Sequence, residues 1–454
     1  MKNKFKGFYS HSNSEFSEIW KNAVIVFDAN VLLNLYRYQV STTEQLLNVI
    51  ESVKDRIWIP YHVALEYQRN RLKVIAEQNE KFSEVKNIVS KGVSSLRKEL
   101  DSLNLKKRHS TIEPEKFLIE IDSAATQFKK ELDLLEKQHY SVMNDDPVRS
   151  KLDELLNNRV GSKPANQDEI DKLEKKASVR FDKKIPPGYM DSNKNNTNIP
   201  VFTYDGISYQ RLYSDYIVWS QIIDYAKKTD IKNIIFVTDD SKEDWWLKIK
   251  QNSLKTISPR PELVSEISIR SNVDNFLMYS SEGFLKYAND LLSVGVSDDA
   301  IEDVRDVVLS RQEERLNAQL MRNIGINTEK EVYKWLKRKY DEVDFVLHSS
   351  VDIVAVHENI KIAFDVTVIR EPRHVVESVK YSMNEALNYA NKNDISELVL
   401  VLVMANENAC DDIRGMDFSS LIDWIPVKII LATAKFDKET GAVTEFHPYD
   451  KFEI

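Results

Sequence analysis

Acidic residues follow two strongly apolar segments of this sequence, and that placement is typical of a metal site. Asp28 follows the run at 23–27, and Asp239, with Asp240 beside it, follows the run at 231–237. Short apolar runs of this kind are typical of buried parallel strands, whose carboxyl ends form the ligand-binding edge of a sheet. We therefore expect these acids to converge, and the pattern fits a role for either member of the Asp239–Asp240 pair.

Two further acids, Glu66 and Asp215, fall on predicted helices and complete a candidate metal site. Carboxylates from four elements can surround one or two Mg²⁺ or Mn²⁺ ions, which prefer oxygen ligands. Bound metal activates water, and two metals about 4 Å apart stabilise both oxygens of an in-line displacement. Simpler interpretations exist, because Asp28 or Asn30 could cap a helix and the helical acids could be exposed. The combination with Asp239 favours the metal site.

The elements that would position these acids alternate between strands and helices. Strands are predicted at 23–27, 56–60 and 231–237, with helices at 61–71 and 209–227, and this alternation is typical of a parallel α/β sheet. Between them, residues 72–180 are highly charged, and their apolar residues recur every three or four positions. That spacing predicts an insertion of amphipathic helices packed as a hairpin or coiled coil. We interpret it as a structural arm, with contact to a partner, a second copy or substrate as the alternative.

The remaining sequence predicts a further domain. We divide the chain into an α/β domain at 1–280, a helical connector at 281–326 and a smaller α/β domain at 327–454. In the last of these, the predicted order is a helix, three strands, a helix (375–390) and a strand, with a final strand at 427–434.

Composition narrows the range of function. The formal net charge of −9 argues against a broadly basic nucleic-acid-binding surface, so any basic groove must be local. Cys410 is the single cysteine, which excludes an internal disulfide and a cysteine-based zinc site. The first 20 residues lack the apolar run of a secretory signal, and no stretch reaches the roughly 20 apolar residues of a membrane helix. We expect a cytoplasmic protein without a membrane partner.

The segments around the acids resemble a PIN-like domain, a nuclease family. The resemblance rests on Phe-Asp-Ala-Asn-Val-Leu-Leu at 27–33, on Ser-Asp-Tyr at 214–216 and on Thr-Asp-Asp-Ser-Lys-Glu-Asp-Trp-Trp at 238–246. The Pro-Pro-Gly-Tyr segment at 186–189 resembles an element of a bacterial subgroup of this family, whose members also carry a helical insertion. The resemblance implies a three-layer α/β/α fold and metal-dependent hydrolysis of phosphodiesters, in RNA ahead of DNA, often in toxin or phage-defence settings. It also implies ligand roles for Asp28, Glu66, Asp215 and Asp239, assistance or replacement by Asp240, and support from Asn30 and Thr238.

Two other functions stay open for this part of the chain. A phosphatase of the haloacid dehalogenase class also has an Asp after its first strand, but it needs an acid two residues later as proton donor. That position is Asn30, which disfavours the phosphatase. The second alternative is a nucleic-acid-binding or protein-binding regulator that keeps the fold without turnover.

The C-terminal part resembles the restriction-endonuclease-like PD-(D/E)xK family. The order of its elements is similar, and Glu331, Asp352 and Asp365 stand where that family has its acids. The lysine expected two residues after Asp365 is Thr367, so Lys361 or Lys380 would have to replace it. A second active site and a catalytically inactive binding module are both consistent with this pattern.

Overall fold

A computed structural model describes residues 1, 4–9, 11–105, 111–143, 145–191, 200–251, 253–346, 349–358, 360–369, 386–414 and 427–453. The chain divides into two compact units, Met1–Leu309 and Ser310–Ile454. Within the described residues, no helix combines the length and apolar character that crossing a bilayer requires.

The first unit is a mixed α/β structure. Its helices are α1 (Asn13–Asn22), α2 (Ala29–Asn34), α3 (Val40–Ser52), α4 (Tyr61–Ser102), α5 (Glu115–Gln138), α6 (Pro147–Leu155), α7 (Gln167–Asp182), α8 (Ser214–Thr229), α9 (Pro261–Arg270) and α10 (Ser281–Leu292). Its strands are β1 (Val24–Phe27), β2 (Val201–Tyr204), β3 (Ile207–Gln210), β4 (Asn233–Val237), β5 (Trp246–Gln251), β6 (Ser253–Pro259) and β7 (Asn275–Tyr279).

A parallel sheet with strand order β1–β4–β7 forms the centre of this unit. Phe27 pairs with Val237, and Val237 pairs with Tyr279, so the three strands end level with one another. The residues that follow them therefore meet at one edge. Nearly every side chain of β1 and β4 is buried, as the apolar runs predict, and the predicted α/β fold class is confirmed.

Several predicted elements of the first unit differ from the structure. Strand β7 and the hairpins β2–β3 and β5–β6 were not predicted. The predicted strand at 56–60 forms only isolated parallel bridges, Ile25 with Ile57 and Ile59 with Val160. The predicted helix at 209–227 begins later, at Ser214, because Tyr209 pairs with Phe202 in the β2–β3 hairpin.

The helical insertion begins as a continuation of the helix that carries Glu66. Helix α4 has 42 residues, so the prediction of a separate helix at 61–71 is wrong. No proline interrupts it, and its glycine, Gly92, costs only about 1 kcal/mol relative to alanine. Helix α5 packs against α4 in antiparallel fashion: Lys86 pairs with Asp133, and Arg97 pairs with Asp122. The predicted helical hairpin is confirmed.

The second unit is built on a mixed sheet with order β13–β12–β11–β10–β9–β8. Strands β10, β11 and β12 are parallel, whereas β8, β9 and β13 run antiparallel to their neighbours. The predicted strands correspond to β8–β12, β13 was not predicted, and the predicted helix at 375–390 lies mostly outside the described residues. The bounds are β8 (Glu342–Phe345), β9 (Ile353–His357), β10 (Ile360–Val368), β11 (Glu397–Met404), β12 (Val427–Phe436) and β13 (Val443–Glu453), with α11 (Asp298–Leu336) before them and α12 (Glu407–Arg414) after β11.

Helix α11 is continuous over 39 residues and contains the boundary between the two units in the sequence. The predicted break between a connector that ends at 326 and a separate helix at the start of the 327–454 domain is therefore wrong. Gly325 lies in this stretch, but one glycine weakens a helix by only about 1 kcal/mol and does not end it.

Candidate metal centre

Asp28 lies at the carboxyl end of β1 and is held by donors from two strand ends. Its Oδ1 accepts a hydrogen bond from the Ala29 N–H at 2.7 Å, so it also caps α2. Its Oδ2 accepts from Asn30 Nδ2 at 2.6 Å and from Thr238 Oγ1 at 2.7 Å. Asp28 can therefore cap α2 and belong to the candidate metal site at the same time. Asn30 and Thr238 fix the direction of its carboxylate.

Other acids lie near Asp28. Burial and the charges of Glu66, Asp215 and Asp240 together raise the pKa of Asp28 to about 7, while the bond from Thr238 opposes the change. Three carboxylates from three other segments thus lie close enough to Asp28 for their charges to act on it. We call Asp28, Glu66, Asp215 and Asp240 the carboxylate cluster.

The neighbours Asp239 and Asp240 have different surroundings. Asp239 is only 8% exposed, and its carboxylate accepts from the Ser281 N–H at 2.8 Å, from Ser281 Oγ at 2.7 Å and from Asn34 Nδ2 at 2.9 Å. These bonds join β4 to the start of α10 and the end of α2. Asp240 instead pairs with Lys242 at 2.8 Å, and its charge raises the pKa of Asp28. The structure therefore groups Asp240 with Asp215 around Lys242, whereas Asp239 connects β4 to α10 and α2.

Lys242 supplies a positive charge among these acids. Its Nζ lies 2.8 Å from Asp240 Oδ2, 3.5 Å from Asp215 Oδ2 and 2.6 Å from Asp191 Oδ1. Burial opposes the charge, but Asp215, Asp240 and Asp191 together raise the pKa of Lys242 well above its ordinary value. The ammonium group thus holds acids from three segments in one place.

Asp191 reaches this position through the Pro-Pro-Gly-Tyr turn. The Asp244 side chain is fully buried, and its Oδ2 accepts from the Gly188 N–H at 2.9 Å and the Met190 N–H at 3.0 Å. Gly188 has φ of +98°, and a Cβ there would lie 2.8 Å from the Phe181 ring and 3.2 Å from Asp215 Cβ. Glycine is required because both the left-handed backbone and the close approach exclude a side chain.

The tryptophans that end the 238–246 motif also face the site. Trp245 Nε1 donates to Asp215 Oδ2 at 3.3 Å, and Trp246 Nε1 donates to the Asp240 carbonyl at 2.6 Å. The motif is therefore one structural unit, whose polar residues contact β1, α8, α10 and the Pro-Pro-Gly-Tyr turn.

The carboxylate cluster fits a hard divalent cation by its chemistry, since it offers oxygen donors from several rigid elements. Across the described ranges, no three acids, histidines or cysteines already stand at the spacing of a metal ligand set. Lys242 instead neutralises Asp240 and Asp215. A cation would thus enter beside or in exchange for this ammonium group.

The second unit brings together three acids, but not quite those predicted. Burial and the charges of Asp352 and Asp365 together raise the pKa of Glu329 to about 7. Glu331, which was predicted for this place, instead pairs with Lys334 at 2.7 Å. A separation of two residues corresponds to a rotation of about 200° around a helix. Glu329 and Glu331 therefore lie on nearly opposite faces of α11, and only one of them can contact the sheet.

The lysine of the PD-(D/E)xK pattern has no confirmed replacement here. Thr367 Oγ1 lies 3.5 Å from Asp365 Oδ2. Lys361 is an exposed residue four positions from Asp365 on β10, which places it roughly 13 Å away along the strand. Lys380 lies outside the described residues. The resemblance of this part to restriction endonucleases remains a prediction.

Three residues that complete the site of the first unit were not predicted. Asp191 was noted only as the end of a motif, and Lys242 only as part of one. Ser281 follows β7, which was itself missed. The available signals were a lysine placed among acids at 239–244 and the serine pair before Glu282, which is typical of a helix start.

Comparison with known proteins identifies a family for this part of the chain. Searches of curated proteins and of solved structures returned no match. The family model for the PIN like domain matches residues 24–263, which are 240 of the 454 residues and include the whole carboxylate cluster. The chain belongs to the PIN-like domain family, whose fold is of the nuclease type.

Proposed function

We propose that this protein is a metal-dependent nuclease that hydrolyses phosphodiester bonds, in RNA ahead of DNA. The observation that carries the proposal is the carboxylate cluster at the carboxyl edge of the β1–β4–β7 sheet, because ligand sites of parallel sheets lie at that edge. A toxin or phage-defence role belongs to the same proposal and is supported only by the family resemblance.

Asp28, Glu66, Asp215 and Asp240 would hold one or two Mg²⁺ or Mn²⁺ ions. Bound metal would supply Lewis-acid stabilisation of the phosphate and a water that deprotonates near neutral pH. Asn30 and Thr238 orient Asp28 toward the site. Because the metal activates water, no side chain of the protein needs to act as the nucleophile.

Asn30 supports the nuclease over the phosphatase. Its Nδ2 donates to Asp28, and its Oδ1 accepts from the Asp239 N–H at 3.0 Å, so the amide links the ends of β1 and β4. This use of both amide atoms is structural, and an amide cannot supply the proton that a phosphatase leaving group needs.

Asp28→Asn and Asp215→Asn are expected to lower cleavage of labelled RNA by about 100-fold or more, since loss of even an outer-shell partner of a metal site costs 10–100-fold. The matched control is Asp224→Asn, which changes an exposed acid on the same helix α8 and should leave the rate unchanged. Cleavage of RNA, single-stranded DNA and duplex DNA with Mg²⁺ or Mn²⁺ is the measurement.

Cleavage that survives both substitutions would contradict the nuclease proposal. Release of phosphate from small phosphomonoesters, with polynucleotides intact, would favour the phosphatase. Absence of calorimetric binding of Mn²⁺ to the purified protein would favour a regulator without turnover.

A second nuclease site in the C-terminal unit is also proposed, because Glu329 and Asp352 meet Asp365 although they are distant in sequence. Glu329→Gln is expected to lower cleavage of DNA by about 10-fold or more and to leave RNA cleavage unchanged. Glu331→Gln is the matched control, since Glu331 pairs with Lys334 instead. Equal rates for both variants on every substrate would contradict a second site.

A further inference from the structure

A cavity of about 220 Å³ opens beside the carboxylate cluster and has a lining of different character. Helix α4 contributes His62, Glu66, Arg69 and Asn70, whose spacing of four, three and one residues places them on one helical face. The lining is completed by Phe202 on β2, by Arg211 in the turn before α8, and by Ser214. Glu66, in this lining, is also a member of the carboxylate cluster, and Ser214 directly precedes Asp215 of the cluster.

Two guanidinium groups dominate the charge of this cavity. The Arg69 guanidinium lies 3.3 Å from the centre of the Phe202 ring, and that of Arg211 lies 5.9 Å from it. Arginine stacks on aromatic faces and keeps its N–H edge free for a planar acceptor such as phosphate. Phe202 is itself packed against Tyr209, with the ring centres 5.2 Å apart, so it is a fixed support for both groups.

The cavity holds more positive charge than it neutralises. Burial and the charge of Arg211 lower the pKa of Arg69, while Glu66 opposes the change. Arg211 Nε is buried and has no hydrogen-bond partner in the part of the chain that the structure describes. Glu66 is the acid among the lining residues that the structure describes, so the two guanidinium groups outnumber it. Two arginines so placed are suited to an anion from outside the chain.

We propose that this cavity binds a backbone phosphate of a single-stranded polynucleotide, one that flanks the phosphodiester being cut. The inference rests on the proposed nuclease function and adds a substrate-positioning site to it. Glu66 belongs to both the cavity and the carboxylate cluster, so a strand that places one phosphate on the arginines brings its neighbour to the cluster. A cavity of this size, below the roughly 300 Å³ of small-ligand pockets, holds one phosphate rather than a nucleotide.

The test is the affinity of full-length protein for a fluorescent eight-residue single strand, measured by anisotropy over a range of salt. Asp28→Asn serves as the parent so that the strand stays intact. Arg69→Gln and Arg211→Gln are each expected to raise Kd about 10-fold and to lower the slope of log Kd against log salt by about 0.7, the value of one phosphate contact on a single strand. Arg69→Lys keeps the charge but loses the fork geometry, so its Kd should be intermediate with the slope retained. The matched control is Arg149→Gln, a half-exposed arginine paired with Asp153, which should change neither quantity.

Unchanged Kd and slope in both glutamine variants, with melting curves like the parent's, would overturn the proposal. So would a higher Kd with an unchanged slope, because the lost contact would then not be to phosphate. Strands of RNA and DNA with one sequence separate the sources: equal affinities show that phosphate alone is read, and tighter RNA binding shows an added contact to the ribose hydroxyl. Lack of cleavage by the wild-type chain would instead overturn the nuclease proposal, whatever the arginine variants do in binding.

Discussion

Asp240→Asn is expected to lower metal-dependent cleavage by about 100-fold or more while the protein stays folded, whereas Asp239→Asn is expected to weaken the fold. When Asp240 becomes an amide, Lys242 keeps its pairs with Asp191 and Asp215. Asp240 faces Asp28 and Lys242, so its charge serves the cluster. Asp239 accepts three hydrogen bonds through both oxygens from Ser281 and Asn34. In Asp239→Asn, one of the two oxygens becomes an NH₂ group. Whichever way the amide is turned, this NH₂ faces at least one of the donors that the oxygen had accepted from. The unsatisfied buried donors should cost about 2 kcal/mol of unfolding free energy.

The measurements are urea unfolding without metal and cleavage rates with Mn²⁺, made on both variants. The two residues are adjacent, of one type and nearly equally buried, so each is the other's control. The assignment would be wrong if Asp239→Asn removed cleavage at full stability while Asp240→Asn cleaved like wild type.

Lys242→Met is expected to lower the unfolding free energy by about 3–5 kcal/mol in the presence of EDTA. The substitution removes the ammonium group that neutralises Asp191 and Asp240, both of which are buried, and breaking one side of a buried ion pair costs about this much. A divalent cation should restore part of the loss, because ligand that binds only the folded state adds about 2.7 kcal/mol at 100 times its Kd. Mn²⁺ should therefore stabilise Lys242→Met more than it stabilises the wild type.

Lys286→Met is the matched control for this experiment. Lys286 pairs with Glu282 on the surface of α10, and its side chain is 47% exposed, so its loss should change stability by less than about 0.5 kcal/mol. Calorimetric titration with Mn²⁺ gives a second measurement. If Mn²⁺ stabilises both Lys242→Met and the wild type equally, the ammonium and the metal do not share the acids.

The sequence predicts the framework of the site better than its details. β1 and β4 are short, continuous apolar runs, which are typical of buried strands, so the convergence of Asp28 with the acids after β4 could be predicted. β7 is less distinct, since only Phe276 and Met278 are fully buried and polar residues precede it. Because Ser281 follows β7, the bonds that separate Asp239 from Asp240 could not be foreseen. Side-chain direction also loses its two-residue period where a strand ends, which is where this pair lies.

Asp191 illustrates a different limit. It lies 51 residues before Lys242 in the sequence, and their contact depends on a turn held by Asp244 and allowed by Gly188. The spacing of apolar and polar residues along the sequence cannot predict a contact between residues so far apart. In the second unit, by contrast, the choice of Glu331 over Glu329 was an error of helical phase, and the buried Thr328 and Val332 define the face that turns inward.

The length of α4 has a mechanical meaning. At about 1.5 Å per residue, Glu66 lies ~8 Å from the first residue of the helix and Ser102 lies ~60 Å from it. If the helix tilts as a rigid rod about Tyr61, a sway of ~8 Å at the far end displaces Glu66 by only ~1 Å. Ordinary thermal motion of the hairpin is thus attenuated roughly eightfold before it reaches the carboxylates. The same lever works in reverse, because a steady force applied at the tip is multiplied by that factor at Glu66.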